Sequence, residues 1–229
     1  HHIAAALTFE LSRCENVRIR ERMVSHLLNI DEGLATTVAD KLGLQTMPAA
    51  ADAAVAPRKD LEVSAALSIV KNGPADFAGR KLGVLVGPGS DRELFNSLKQ
   101  HFEAKGAVVE VIAPKVGGVV AQEGSLIEGD YMIDGGPSVL FDAVALVLSE
   151  EAAQRLCGEA TARDFVGDAF AHCKFIAFSK GAVPLLDLAG IDPDLDDGLM
   201  SLEDEDAIHH FYAACAKLRV WARETAVKL

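Results

Sequence analysis

The chain has 229 residues, is 50% hydrophobic and carries a formal net charge of −12. The negative balance argues against nucleic acid and anionic membranes as partners, and no apolar run reaches the roughly 18–20 residues of a membrane-spanning helix. Its four cysteines, Cys14, Cys157, Cys173 and Cys215, are scattered without C-x-x-C spacing and read as free thiols, with Cys173 and Cys215 as small core residues.

The chain opens on His1-His2 with no Met and no signal-like segment. That start reads as a tag remnant on a piece of a longer protein, and a cytoplasmic location is expected. Residues 3–16 read as irregular, ending at Asn16, a possible N-cap. Helical period over residues 17–30 places Ile19, Met23, Leu27 and Ile30 on one face, with Val24 and Leu28 beside them. Asp31 then caps a second short helix that Gly43 stops. Two short helices cannot bury their apolar faces on each other alone. Residues 1–44 are therefore expected to be a helical tail that packs on something else. Residues 45–79, rich in Ala and Pro, read as a linker with at most one weak element near 65–70.

From Arg80 the pattern is regular. Lys81–Val86 is an apolar run that suits a strand covered on both faces. Gly87-Pro88-Gly89 turns the chain. Ser90-Asp91-Arg92-Glu93 has capping-box spacing at the head of a helix striped by Leu94, Leu98 and Phe102. Ala107–Ala113 is the next strand, which completes a right-handed βαβ unit. Val119–Gln122 and Asp130–Ile133, around Gly124, suggest a small hairpin insert. Ala143–Leu148 and Lys174–Phe178 read as buried strands, and Glu151–Cys157 and Ala162–Ala171 as helices. The second of those strands turns at Ser179-Lys180-Gly181 into the helix Val183–Ala189. Asp192–Asp197 is an acidic loop, and a last helix is expected from about Glu203 to Arg223. The sum is an α/β domain over residues 80–229 with a mainly parallel sheet.

Two turns are candidates for chemistry. A glycine turn at a helix N-terminus can hold phosphate through backbone N–H groups. Here the third glycine of G-x-G-x-x-G is absent, Pro88 removes a donor, and Asp91 and Glu93 would repel an anion, so 87–90 reads as a tight turn. The elbow at 179–181 is where some α/β families raise a nucleophile, but G-x-S-x-G is absent and Ser179 has no base at a recognisable spacing. Lys180 would be a reactive amine only if desolvated. His26, His101, His172, His209 and His210 show no H-x-x-x-H or H-E-x-x-H spacing, so no metal site is read. The acidic loop lacks EF-hand spacing.

At this point the chain resembles a known family. Residues 7–44 look like the end of the haem-catalase core, on Thr8-Phe9-Glu10-Leu11, Ile19-Arg20-Glu21-Arg22, Asp31, Leu34-Ala35 and Leu42-Gly43. Residues 80–222 resemble the extra C-terminal domain of large-subunit catalases, down to Arg219-Val220-Trp221. The resemblance implies a flavodoxin-like three-layer sandwich, related to the class I glutamine amidotransferases and intracellular cysteine proteases. In that superfamily a Cys on the second elbow would fall at or beside Lys180, and a Glu after the first strand on or near Glu93. With no Cys there, thiol chemistry is not implied.

Glu93, Ser179 and Lys180 thus stand as vestigial elbow positions. No catalytic residue, cofactor or metal is expected in this piece. Haem belongs to the implied parent, a tetrameric catalase. The proximal Tyr of that family follows an Arg by four residues, whereas Ile127 and Ile208 precede Tyr131 and Tyr212 here. The expected partners are the parent's catalase core and, by resemblance to holding chaperones, unfolded client proteins. The competing expectation is a ligand binder or a hydrolase- or amidotransferase-like enzyme using the 179–181 elbow and Glu93.

Overall fold

A computed structural model describes residues 2–227 and divides the chain into two compact units, 1–64 and 65–229. The first unit holds three helices: α1 (His2–Ser12), α2 (Val17–Leu27) and α3 (Glu32–Lys41). Residues 3–12 are therefore helical where irregular chain was expected, and only 13–16 are irregular. Alanine has the highest helix propensity, and Ala4, Leu7 and Leu11 lie at spacings of three and four, so α1 supplies one wall of a small core. That core is made of Ala4, Val24, Leu27, Ala35, Val38 and Ala39, with Leu7, Leu11 and Met23 packed against it. The Asn16 side chain caps α2 by accepting from Arg18 N–H, and Asp31 caps α3 by accepting from Leu34 N–H. Gly43 ends α3 at φ +68°, a conformation that favours glycine. The buried stripe of α2 is centred on Val24 and Leu27, while Ile19 and Ile30 are exposed. The expected face was rotated because it was drawn for two helices, and α1 is the third.

The second unit carries a six-stranded parallel sheet, order β5-β2-β1-β6-β7-β8. Its strands are β1 (Lys81–Val86), β2 (Val108–Ala113), β5 (Tyr131–Met132), β6 (Ala143–Val147), β7 (Ile176–Phe178) and β8 (Leu199–Ser201). Without the two-residue edge strand β5, the order is the 2-1-3-4-5 of flavodoxin-like folds. The helices are α4 (Arg92–Ala104), α5 (Glu150–Leu156), α6 (Ala160–Ala171), α7 (Val183–Leu188) and α8 (Glu205–Cys215).

Alternate strand residues feed opposite faces. Leu82, Val84 and Val86 pack with Phe95, Leu98 and Phe102 of α4 and with Ile208, Phe211 and Tyr212 of α8. Leu85, Val144, Leu146 and Ile176 pack with Ala152 and Leu156 of α5, Phe165 and Val166 of α6, and Leu185 and Leu186 of α7. These are the three layers of a sandwich, with the sheet in the middle. Each fully buried aliphatic or aromatic side chain contributes roughly 1.5–3 kcal/mol, so the two sheet faces, not the turns, hold this unit together. Phe77, buried against Phe102 and Tyr212, joins the same core.

Four expectations are corrected here. The hairpin joins β3 (Val119–Val120) to β4 (Leu126–Ile127), whereas Tyr131–Met132 leaves it and pairs in parallel with β2. The N-cap of α4 is Asp91, whose carboxylate accepts from Leu94 N–H at 3.0 Å; Ser90 is fully buried and bonds elsewhere. Leu199–Ser201 is a strand, too short for alternation to reveal it. The last helix stops at Cys215, and Leu218 turns the chain at φ +64°. Beyond it Val220 N–H donates to Cys173 O at 2.7 Å and Arg223 is buried against Asp196, which draws the chain off the helical path.

Candidate functional site

In an open parallel sheet, ligands bind beyond the carboxyl ends of the strands where the strand order reverses. Here that point lies between β1 and β6, at the Gly87–Ser90 turn and Ser149, with the Ser179 elbow one strand further on. Three serines end the three central strands, and each hydroxyl is committed to backbone. Ser90 Oγ accepts from Gly87 N–H at 2.9 Å and lies 2.7 Å from Gly87 O and 2.5 Å from Val147 O. Ser149 Oγ donates to Pro88 O at 2.8 Å and accepts from Ala152 N–H at 3.1 Å, capping α5. Ser179 Oγ accepts from Leu148 N–H at 3.0 Å and donates to Leu148 O at 2.8 Å.

The glycine turn is likewise occupied. Gly89 N–H, the donor a phosphate would need, is given to Val120 O at 2.8 Å. Gln122 N–H donates to Ser90 O at 3.1 Å, and the Arg92 guanidinium binds Ser125 Oγ and the Leu126 carbonyl. The β3–β4 hairpin is thus laced to the head of α4 and to the turn. What is left is an open cleft of about 400 Å³ lined by Pro88, Gly89, Gln122, Ser149 and Arg155. The Arg155 guanidinium is exposed and paired with Glu151 at 2.5 Å.

The sequence-predicted positions do not converge. Glu93 is exposed on the first turn of α4, in a separate cleft with Asp91, Arg92 and Glu123. Ser179 is buried, and Lys180 is exposed. Gly181 is at a closest approach: a Cβ there would sit 2.4 Å from Leu148 O and 2.7 Å from Glu150 N. The elbow therefore serves as a tight backbone junction between β7 and the β6–α5 turn. A nucleophile needs a base within hydrogen-bond reach. The Ser179 hydroxyl instead exchanges both its bonds with one peptide residue.

Residues with more distinctive chemistry lie at the opposite end of the strands, and spacing did not single them out. Lys174 is buried, with Nζ donating to Ser138 O at 2.5 Å and Phe141 O at 2.7 Å. Burial, helped by the Arg219 charge, lowers its ammonium to about 8. Arg223, with a fully buried side chain, is bidentate to Asp196 at 2.6 and 2.7 Å, donates to Lys174 O and stacks on Phe170 at 4.6 Å. That guanidinium bond holds the Asp196 carboxyl below its ordinary range. These groups clamp the C-terminal turn Trp221–Thr225 to the sheet. Cys173 and Cys215 are buried free thiols, and burial raises both.

By strand order and layering the second unit is a flavodoxin-like α/β domain whose switch-point groups are taken up by the fold itself. Residues 78–225 match the family described as the C-terminal domain found in long catalases, and residues 1–42 match the catalase-related immune-responsive family. The chain belongs to the long-catalase C-terminal domain family. It is 56% identical over 228 residues to Catalase C of Rhizobium meliloti (strain 1021), covering all of this chain and 32% of that protein. It is 35% identical to Catalase HPII of Mycobacterium avium, over 98% of this chain and 33% of the relative. With Catalase-B of Dictyostelium discoideum the identity is 32%, over 99% and 33%. The chain thus spans about a third of the length of the curated relatives it matches.

Proposed function

We propose that this chain is the C-terminal portion of a long catalase and acts there as an accessory part, without chemistry of its own. In this reading the parent dismutates hydrogen peroxide at a haem held elsewhere in the polypeptide. Residues 1–44 form the tail of the catalase core, 45–79 a linker, and 80–229 the domain that supports stability and assembly of a tetramer. The observation that carries it is the state of the three strand ends at the switch point: the hydroxyls of Ser90, Ser149 and Ser179 are all taken up by backbone, and none of the three is left for a base.

The tyrosines do not fit an axial-ligand role for haem. Tyr212 Oη donates to Lys105 O at 3.3 Å, and its ring is wedged against Phe77 and Phe102. Tyr131 packs edge-on against Phe141.

The test is the full-length parent with residues 65–229 removed. It should keep its haem absorbance and its turnover per haem, and should lose thermal stability or subunit association in light scattering. Unchanged assembly and melting would overturn the accessory role; lost turnover with intact assembly would overturn its non-catalytic character. A second reading, binding of unfolded clients, is favoured by the exposed Ile3, Phe9 and Ile30 of the helical unit. Excess chain should then suppress light scattering from a heated client protein, and an unchanged trace would remove this reading.

A further inference from the structure

The face of the sheet covered by α4 and α8 contains a feature that the accessory role does not use. His101, near the end of α4, and His209, on α8, stack with ring centroids 4.3 Å apart and an interplanar angle of 28°. Sequence spacing gave no reason to join them, since they are 108 positions apart and lie on different helices. The Nε2 atom of His101 is buried and has no hydrogen-bond partner. Tyr212 packs edge-on to the same ring at 5.6 Å, and Phe102 at 6.3 Å. His209 is exposed and shares with Glu205 and Gln100 an open cavity of about 270 Å³ beside the stack.

We propose that the His101–His209 stack is an acid-sensitive latch across the α4–α8 seam, closed while the His101 ring is neutral and opened when acid puts a proton on it. The physics is local. A neutral imidazole leaves Nε2 with one unmet bond; an imidazolium there would leave a buried cationic N–H unmet, which is far more costly. Positive charge on the His101 ring is also disfavoured beside the stacked imidazole and Lys105 in a medium of reduced dielectric.

The charged and titratable surroundings do not offset this. On α4, Lys105 adds positive charge and lies 5.1 Å over the Tyr212 ring. From α8 come His209, Tyr212 and one carboxylate, Glu205, which is exposed. On β2, Val109 and Val111 face α4, while Glu110 lies on the other face of the sheet and is held by Lys81 at 2.7 Å. Burial first, then His209 and Lys105, lower the affinity of His101 for a proton below the ordinary imidazole value of 6.5. The folded chain therefore binds fewer protons than the unfolded one below that value. The stack's contribution is complete above pH 6.5 and is lost as pH falls toward the depressed value. What the latch guards is the aromatic cluster that Phe211 and Tyr212 of α8 form with Phe102 of α4 and Phe77.

The test uses the 229-residue chain, followed by amide hydrogen exchange at pH 7.5 and 5.5 and by NMR titration of the histidine Cε1 protons. After correction for intrinsic rates, the amides of α8 should exchange about tenfold faster at the lower pH. The amides of α6, across the sheet, should show no such gain. His101→Phe keeps an aromatic ring in the seam and should abolish the acceleration. His209→Gln, at an exposed site, keeps the fold should the first variant fail, and should move the His101 midpoint upward. A His101 midpoint unmoved by His209→Gln, or α8 exchange that does not accelerate in acid, overturns the proposal.

Discussion

At the end of β7 the Ser179 hydroxyl both accepts from the amide and donates to the carbonyl of Leu148, bridging two central strands at their carboxyl ends. Replacing it with Ala leaves two buried backbone groups without that partner, and an unmet buried group costs about 1–3 kcal/mol. Ser179→Ala should therefore lower the unfolding free energy of the α/β unit, read from a urea titration, by an amount in that range. A catalytic serine on the surface of a cleft would give the opposite pattern, with stability unchanged and a reaction lost. Single-residue reasoning reads the composition of the two turns directly. The missing elbow Cys, Pro88 in the turn and the acids at 91 and 93 are all visible in the chain. It failed at Lys174 and Arg223. A lysine opening the run K-F-I-A-F reads as the edge of a strand. Its burial depends on the carbonyls of Ser138 and Phe141, more than thirty positions away, and Arg223 depends on Asp196 from a loop 27 residues earlier. Polar burial is set by tertiary partners, which periodicity does not encode.

At the scale of elements, the long periodic segments were legible because their stripes are wide. The helix α4, with Phe95, Leu98 and Phe102 buried, and the all-buried β6 carry enough apolar residues for one reading to win. The misses share a cause. Ala4 is the deepest residue of α1, so its inward face is marked by a small side chain, with no large apolar stripe. Both β5 and β8, of two and three residues, owe their existence to the neighbours β2 and β7 that they extend. The capping signal at 90–93 was real but shifted by one residue. Ser90 points its bonding to the glycine turn and to Val147, which frees Asp91 to cap. A Ser-Asp pair offers two adequate caps, and the strand next door decides between them. The hairpin β3–β4 changes the meaning of the glycine turn more than any residue within it, because Val120 takes the amide of Gly89.

The whole chain is two cores joined by exposed irregular backbone, and that organisation has a mechanical consequence. Each unit buries its own apolar set: six small and branched residues in the helical unit, and two sheet faces in the α/β unit. Between them Val55, Leu61 and Val63 are 83%, 66% and 98% exposed, and Arg58 and Lys59 are exposed as well. Proteases require local unfolding of the segment they cut, which costs little where backbone is unpaired and much where it is laddered into a sheet. Trypsin acting briefly on the native chain should cut first at Arg58 or Lys59 and leave the α/β unit intact. Mass spectrometry of the early products should then find one large piece beginning near residue 59 or 60. The sites at Lys99, Lys105 and Arg155 lie in α4 and its end and in α5, and should appear only after denaturation. Early cleavage at those sites would mean that the sheet faces do not protect the helices packed on them, and that the buried sets on the two faces do not hold this unit together as argued.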